Sequence, residues 1–311
     1  VTQLQQVGTD QNGDRSPICV VGAGTMGRGI AQVAVAAGHP VSLVDPDTGQ
    51  LAAAVADIRS RLQRRHSEVA ATLDSRLRTA TSVRDTPAHP ATVVIEAVVE
   101  NLDAKQSVFT LALEHFGEGA ILATNTSSLS ITEIAARTAA PSRVVGMHFF
   151  NPVPAMRLVE VVSGLDTDPV AAAAVADLAR SWGKVVAHVR SAPGFIVNRV
   201  ARPFYGESLR LAEEGAAPLE TIDEVLRSAG GFRMGPFELM DLIGNDVNST
   251  VTETVWRAFH FDPRYAPSQM QRELVAAGRL GRKAGRGFYS YRPDDDRPVA
   301  VAADASTPVP D

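Results

Sequence analysis

The chain has 311 residues, 45% hydrophobic and 21% charged, which is ordinary for a soluble globular protein and long enough for two domains. Its net charge of −5 offers no cationic field to nucleic acid or an anionic membrane, and a single cysteine, Cys19, excludes both an intramolecular disulfide and a cysteine-cluster metal site. No window reaches the roughly 20 apolar residues of a membrane span, and Val1–Ser16 is polar without a charged-then-apolar leader, so a cytoplasmic location without membrane, nucleic-acid or metal partners is expected.

Residues 1–16 read as a disordered extension. Ile18-Cys19-Val20-Val21 is a short apolar run stopped by a glycine turn, the pattern of a buried strand. Thr25 to Ala37 follows as a helix closed by Gly38. Val41–Val44 is a second strand ending at Asp45-Pro46, where proline prevents continuation. From Gly49 to about Ala71 the pattern is helical and carries Arg59, Arg61, Arg64 and Arg65. Strand-like runs recur at 92–95, 120–123, 144–147, 158–162 and 185–189, with helical segments at 102–116 and 131–138. Such alternation means a parallel sheet covered on both faces. From Phe195 to about Gly278 the period is helical, punctuated by glycines. The expected architecture is α/β: an N-terminal Rossmann-type doubly wound sheet over 17–190, then an all-α domain over 191–292. The Asp-, Pro- and Ala-rich tail, 293–311, is expected to be disordered.

Gly22-x-Gly24-x-x-Gly27 links the first strand directly to the first helix. The first glycine allows the tight turn and the second lets backbone approach a pyrophosphate. The third lets helix and strand pack closely, and the helix N-terminus supplies N–H donors. Asp45 ends the second strand 18 residues after Gly27, where a carboxylate accepts both ribose hydroxyls. Pro46 and Asp47 follow it, and no arginine, so a 2′-phosphate would meet two carboxylates and NAD is favoured over NADP. Only three of the 30 basic residues are lysines, Lys105, Lys184 and Lys283. Lys105, near the carboxyl edge of the sheet, is a candidate cofactor contact, whereas a strand end beside a solvated helix start accounts for Glu96.

A cofactor that accepts hydride needs a base to take the proton of the alcohol. Histidine titrates nearest neutrality, and a carboxylate beside it fixes its tautomer. His148, in His148-Phe149-Phe150-Asn151-Pro152, has Glu160 twelve residues on. The pattern equally allows a histidine that merely ends a buried strand, with Glu160 on a solvated face.

Taken together, these blocks resemble the 3-hydroxyacyl-CoA dehydrogenase family, and above all its short bacterial (S)-3-hydroxybutyryl-CoA dehydrogenases. The resemblance runs from about Ile18 to Tyr291 through Val21–Gly27 (with Thr25 and Met26 in the cofactor turn), Ile95–Asn101, Asn125–Leu129 and His148–Val162. It continues through Pro193–Arg199, Gly235–Leu239 and Gly281–Lys283 before Gly287-Phe288-Tyr289. It implies NAD-linked reversible oxidation of a 3-hydroxyacyl thioester in fatty-acid (β-oxidation), butyrate or aromatic-acid metabolism. Within it His148 is the general base, Glu160 its orienting carboxylate, Ser127 a contact to substrate oxygen and cofactor, and Asn198 a substrate-binding amide. Glu100, Lys105, Ser127, Asn151 and Lys283 line the cofactor, and the helical domain builds a homodimer. Helix-capping remains open for both Ser127 and Asn198, and the arginines of 59–65 match the family's coenzyme A region only loosely. Two other outcomes stay open: a dehydrogenase of a free hydroxy acid, of carnitine or gulonate type, and a non-catalytic NAD-binding protein.

Overall fold

The computed structural model describes residues 15–65, 67–90 and 92–291. Most of the expected disordered extension, 1–14, and the tail, 293–311, lie outside the described residues. Arg15 and Ser16, assigned to that extension, are described. Ser16 is buried and its carbonyl accepts from His39 Nδ1 at 2.8 Å, so the ordered chain already includes it.

Eight strands form one sheet: β1 (Ile18–Val21), β2 (Val41–Val44), β3 (Leu77–Ala80), β4 (Val93–Glu96), β5 (Ile121–Thr124), β6 (Val144–Phe149), β7 (Leu158–Ser163) and β8 (Val185–Arg190). Their spatial order is β3-β2-β1-β4-β5-β6-β7-β8. The first six follow the doubly wound order, in which ligands bind at the switch point between β1 and β4, beyond the carboxyl ends of the strands. Seven helices serve this sheet: α1 (Thr25–Ala36), α2 (Thr48–Arg65), α3 (Ser67–Ala71), α4 (Leu73–Arg76), α5 (Leu102–Phe116), α6 (Ile131–Ala136) and α7 (Pro169–Ser181).

Two features depart from the expected pattern. Strand β3 has no apolar alternation, since only Leu77 of its four residues is buried. It is an edge strand held by its ladder to β2, and edges need little apolar surface. The second departure is that β6 and β7 pair antiparallel in an otherwise parallel sheet. Only the short segment 150–157 joins them, and a parallel return needs a crossover of about a dozen residues or more.

Alternation along the strands feeds two cores. Ile18, Val20, Val93, Ile95, Val145 and Met147 face the α1, α2 and α7 layer. Cys19, Val21, Val94, Leu122, Val144 and Val162 face α5 and α6. Because successive side chains point to opposite faces, His148 shares the face of Val144 and Glu160 that of Val162.

The chain divides into two compact units after Phe195. The second contains α8 (Val197–Glu213), α9 (Leu219–Ser228), α10 (Pro236–Ile243), α11 (Asn245–Ala258) and α12 (Gln269–Ala276). Its apolar core is small, built on Tyr205, Leu209, Ile222, Phe237 and Met240. Buried carboxylates reinforce it. Asp223 accepts from the first-turn amides Phe237 N and Glu238 N of α10 and from Tyr289 Oη. Asp241 accepts from Phe288 N, Tyr289 N and Tyr291 Oη. The Gly235–Leu239 and Gly287–Tyr289 blocks are thereby explained as architecture. No helix among the described residues is long and apolar enough to cross a membrane.

Candidate active site

The turn between β1 and α1 is shaped by two distinct demands. Gly22 has φ +104°, and a Cβ there would come within 2.5 Å of the Ala97 carbonyl oxygen after β4. A Cβ on Gly27 would overlap the Gly22 carbonyl. Those two glycines serve the protein's own packing. Gly24 does not: a Cβ there would meet only Gln50 Oε1, at 3.6 Å. The position is glycine without an internal reason, as expected where a pyrophosphate approaches the backbone. No side chain caps α1, whereas Ser130, Asp168 and Ser268 cap α6, α7 and α12. The first-turn N–H groups of α1, including those of Thr25 and Met26, therefore have no side-chain acceptor at the N-cap. Asp45 ends β2 with Oδ2 accepting from Ala23 N at 2.8 Å and Oδ1 from Asp47 N at 3.0 Å. That bond holds the carboxylate beside the turn. The glycine cradle, bare helix start and acidic strand end together fit NAD.

Past β4 lies a cluster that sequence reasoning only partly foresaw. Lys105 and Glu96 are 1% and 0% exposed, with Lys105 Nζ 2.8 and 2.9 Å from the two Glu96 oxygens. The same ammonium lies 3.2 Å from Glu100 Oε2. Its three hydrogens thus face carboxylates, and in the free chain it reaches no open space. Lys105, expected as a cofactor contact, is thus also the counter-ion of a buried carboxylate. Glu96 ends β4 as expected, but it is wholly buried and takes a further bond from Thr124 Oγ1 at 2.7 Å. A carboxylate closing the apolar run Val93-Val94-Ile95, with a rare lysine nine residues later, is the signal that would have revealed the pair.

Glu100 extends the cluster outward. Its Oε1 accepts from Thr126 Oγ1 at 2.6 Å, Ser127 N at 2.9 Å, and Ser128 N and Oγ at 3.0 and 2.9 Å. Burial alone would raise its pKa, but the Lys105 charge and the bonds from Thr126, Ser128 and Ser127 hold it below the ordinary glutamate value. Ser127 is thus fixed by its backbone. It is not a helix cap, since Ser130 occupies that position on α6.

His148 and Glu160 sit directly opposite each other in the β6–β7 ladder. His148 Nδ1 and Glu160 Oε2 are 2.6 Å apart, and the residues are 5% and 0% exposed. An ionised carboxylate only accepts, so Nδ1 donates to it and Nε2 is the ring nitrogen turned away from Glu160. The Phe150 and Phe195 rings pack at 4.6 and 5.6 Å from the imidazole, and Asn125 Oδ1 holds Phe149 N at 2.9 Å. The solvated-face alternative for Glu160 falls away. Asn151 is exposed just beyond β6.

Two predicted residues belong to the second unit. Asn198 lies inside α8, whose N-cap is Ile196, so the capping alternative falls away here too. Lys283 pairs with Asp246 at 2.6 Å. Of the arginines after Asp45, Arg59 binds Asp74 at 2.5 Å and Arg61 binds Asp57 at 2.8 Å. Arg59 and Arg64 also line a groove of about 1140 Å³ between α2 and the β3 edge, with Ser60, Gln63 and Thr81. At ~4.8 Å per strand, it lies on the order of 24 Å across the sheet from His148.

Profiles of known families match both units. The 3-hydroxyacyl-CoA dehydrogenase NAD binding domain matches residues 17–192, and the C-terminal domain of the same family matches 194–291. The chain is 47% identical over 290 residues to the 3-hydroxyadipyl-CoA dehydrogenase of Escherichia coli, covering 92% of itself but 61% of that protein. It is 41% identical over 281 residues to the probable 3-hydroxybutyryl-CoA dehydrogenase of Bacillus subtilis, covering 88% of itself and 96% of the relative. The crystal structure of (S)-3-hydroxybutyryl-CoA dehydrogenase from Ralstonia eutropha superposes with a TM-score of 0.82 at 40% identity, covering 89% of this chain and 99% of that one. A glycine turn suited to NAD, a buried histidine–carboxylate pair and both family profiles in sequence order lead to one conclusion: the chain belongs to the 3-hydroxyacyl-CoA dehydrogenase family of NAD-dependent oxidoreductases.

Proposed function

We propose that the chain catalyses the reversible, NAD-dependent oxidation of (S)-3-hydroxyacyl-CoA to 3-ketoacyl-CoA, with short chains such as 3-hydroxybutyryl-CoA as substrates. The buried His148–Glu160 pair carries this proposal, because it engages Nδ1 and leaves Nε2 as the nitrogen to act as a base. In the oxidising direction His148 Nε2 takes the C3 hydroxyl proton, and in the reducing direction it returns it. Glu160 holds Nδ1–H and balances the imidazolium that forms. Bound NAD supplies the acceptor for the hydride that leaves C3. Ser127, tethered by Glu100, donates to the substrate oxygen.

Asn198, Asn151, Lys105 and Lys283 keep the substrate and cofactor roles that the resemblance gives them. The groove beside Arg59 and Arg64 is assigned to the phosphate-bearing end of coenzyme A. The sheet domain, 17–190, carries the chemistry, and the helical domain, 191–292, also pairs with a second copy of the chain. An apolar groove of about 580 Å³ lined by Phe204, Leu211, Val225, Leu226 and Phe232 supports that pairing. A cytoplasmic setting goes with this reading, where NAD and acyl-CoA are both available.

The decisive assay follows NADH consumption with acetoacetyl-CoA, beside NAD reduction with 3-hydroxyadipyl-CoA, carnitine and gulonate. The relatives' names divide between hydroxybutyryl and hydroxyadipyl thioesters, so both are tested. Turnover of a thioester is expected. Turnover of a free acid alone would overturn the substrate class, and no turnover with NADH still bound would point to a non-catalytic protein.

A further inference from the structure

Lys184 is the lysine to which the proposed chemistry assigns no task. It precedes β8 and is 8% exposed, yet among the described residues its ammonium meets carbonyl oxygens and no carboxylate. Nζ donates to Val153 O at 2.5 Å and to Met156 O at 2.8 Å. Burial holds its pKa below the ordinary lysine value. A buried cation without a counter-ion is costly, so what it grips is informative.

Both carbonyls belong to the segment 150–157, which joins the strand of His148 to the strand of Glu160. At one end of that segment Phe150 packs its ring 4.6 Å from the His148 ring. In the middle Val153, 2% exposed, presses on α1, the helix that starts at the nucleotide turn. The contact is so close that a Cβ on Gly29 would lie 2.9 Å from Val153 Cβ. At the other end Arg157 O accepts from Val185 N at 2.8 Å. One short segment therefore touches both the cofactor helix and the catalytic imidazole.

We propose that Lys184 is a positioning residue: by holding the Val153 and Met156 carbonyls it seats this segment against α1, and so sets the spacing between the nucleotide-binding turn and His148. The inference rests on the cofactor reading above. A lysine suits the task because a long stem delivers several donors to two carbonyls at once. An apolar isostere leaves both carbonyls without a donor and frees Val153 to move off Gly29.

The test compares Lys184→Met, Lys184→Arg and Gly29→Ala with the wild type. NADH affinity is read by fluorescence titration, kcat and KM with acetoacetyl-CoA, and folding by thermal denaturation. Lys184→Met should raise the NADH Kd about 10-fold and lower kcat by up to about 100-fold, as expected when reacting groups shift by an ångström or so. The shape of the pH–rate profile should persist, since His148 and Glu160 are untouched. Lys184→Arg should recover part of the affinity. A purely structural role would lower the melting temperature and active fraction while leaving the NADH Kd of folded protein unchanged, and that result overturns the proposal. If Lys184→Met does not fold, Gly29→Ala decides: its methyl displaces the same segment with Lys184 intact, and an NADH Kd within twofold of wild type refutes the coupling. A wild-type chain that binds no NADH would sink the cofactor reading instead.

Discussion

Glu160 Oε2 lies 2.6 Å from His148 Nδ1 because the two residues are directly opposed in an antiparallel ladder, on the face that Val144 and Val162 share. The rigid element holding each side chain is the neighbouring strand of the other. This geometry orients the imidazole without any loop, and it determines which nitrogen faces the carboxylate.

Glu160→Gln tests that orientation. The amide removes the charge that balances an imidazolium and can donate to Nδ1, shifting the proton to Nε2. We expect kcat with acetoacetyl-CoA to fall by about 10²- to 10⁴-fold while the NADH Kd stays put. Wild-type turnover would remove Glu160 from the role.

The glycines of the turn should separate folding from binding. Gly27→Ala pushes a methyl into the Gly22 carbonyl and should lower the melting temperature markedly. Gly24→Ala meets only Gln50 and should change stability by no more than about 1 kcal/mol, yet weaken NADH binding. Equal NADH affinity in Gly24→Ala and wild type would show that nothing approaches that backbone.

Asp45→Ala should cost NADH on the order of 10- to 100-fold in affinity, the loss of charge-assisted hydrogen bonds to ribose hydroxyls. NADPH binding should be little affected, so the ratio of the two affinities measures the role. An unchanged ratio would place the ribose elsewhere.

Lys105 and Glu96 form a pair 1% and 0% exposed at the side chain. Lys105→Met leaves a buried carboxylate uncompensated and should destabilise the protein by about 3–5 kcal/mol in denaturant titration. Adding Glu96→Gln should recover part of that loss. A double variant no better than the single would mean that the charge is not the cause.

His39 makes stability pH-dependent. Burial lowers its pKa from 6.5, the Ser16 bond raises it and the nearby Arg15 charge lowers it, with a net lowering. Just below pH 6.5 the unfolded chain binds a proton that the folded chain refuses, so stability is full above that pH and declines as pH drops towards the folded-state value. His39→Gln can still donate to Ser16 without titrating. The melting-temperature difference between pH 7 and pH 5 should therefore shrink in the variant, and an equal difference would exonerate His39.

Much of the site was legible before any coordinates. Strand ends carry unmistakable residue types: Asp45 after the strand Val41-Ser42-Leu43-Val44, and the glycine turn between a strand and a helix. Local chemistry determined these, because a tight turn admits glycine and a strand end presents its side chain to the crevice. The partners of Lys105 were not legible, for the opposite reason. A rare lysine near a carboxyl edge looks the same in sequence with or without a buried Glu96 beside it, and only the three-dimensional packing reveals that pair. Strand β3 escaped because edge strands are held by backbone ladders that need no apolar pattern.

By itself the amino-acid sequence determined the fold class, the nucleotide turn and the identity of the candidate base, all of which depend on neighbours within a few residues. The tertiary structure decided which face His148 occupies, that Glu160 is buried against it, and that Lys105 answers to two carboxylates. Those outcomes depend on strand register and on which buried charge finds which partner, and a spacing of twelve residues specifies neither. A one-residue slip between β6 and β7 would have put Glu160 on the opposite face from His148 and left the imidazole without its carboxylate partner.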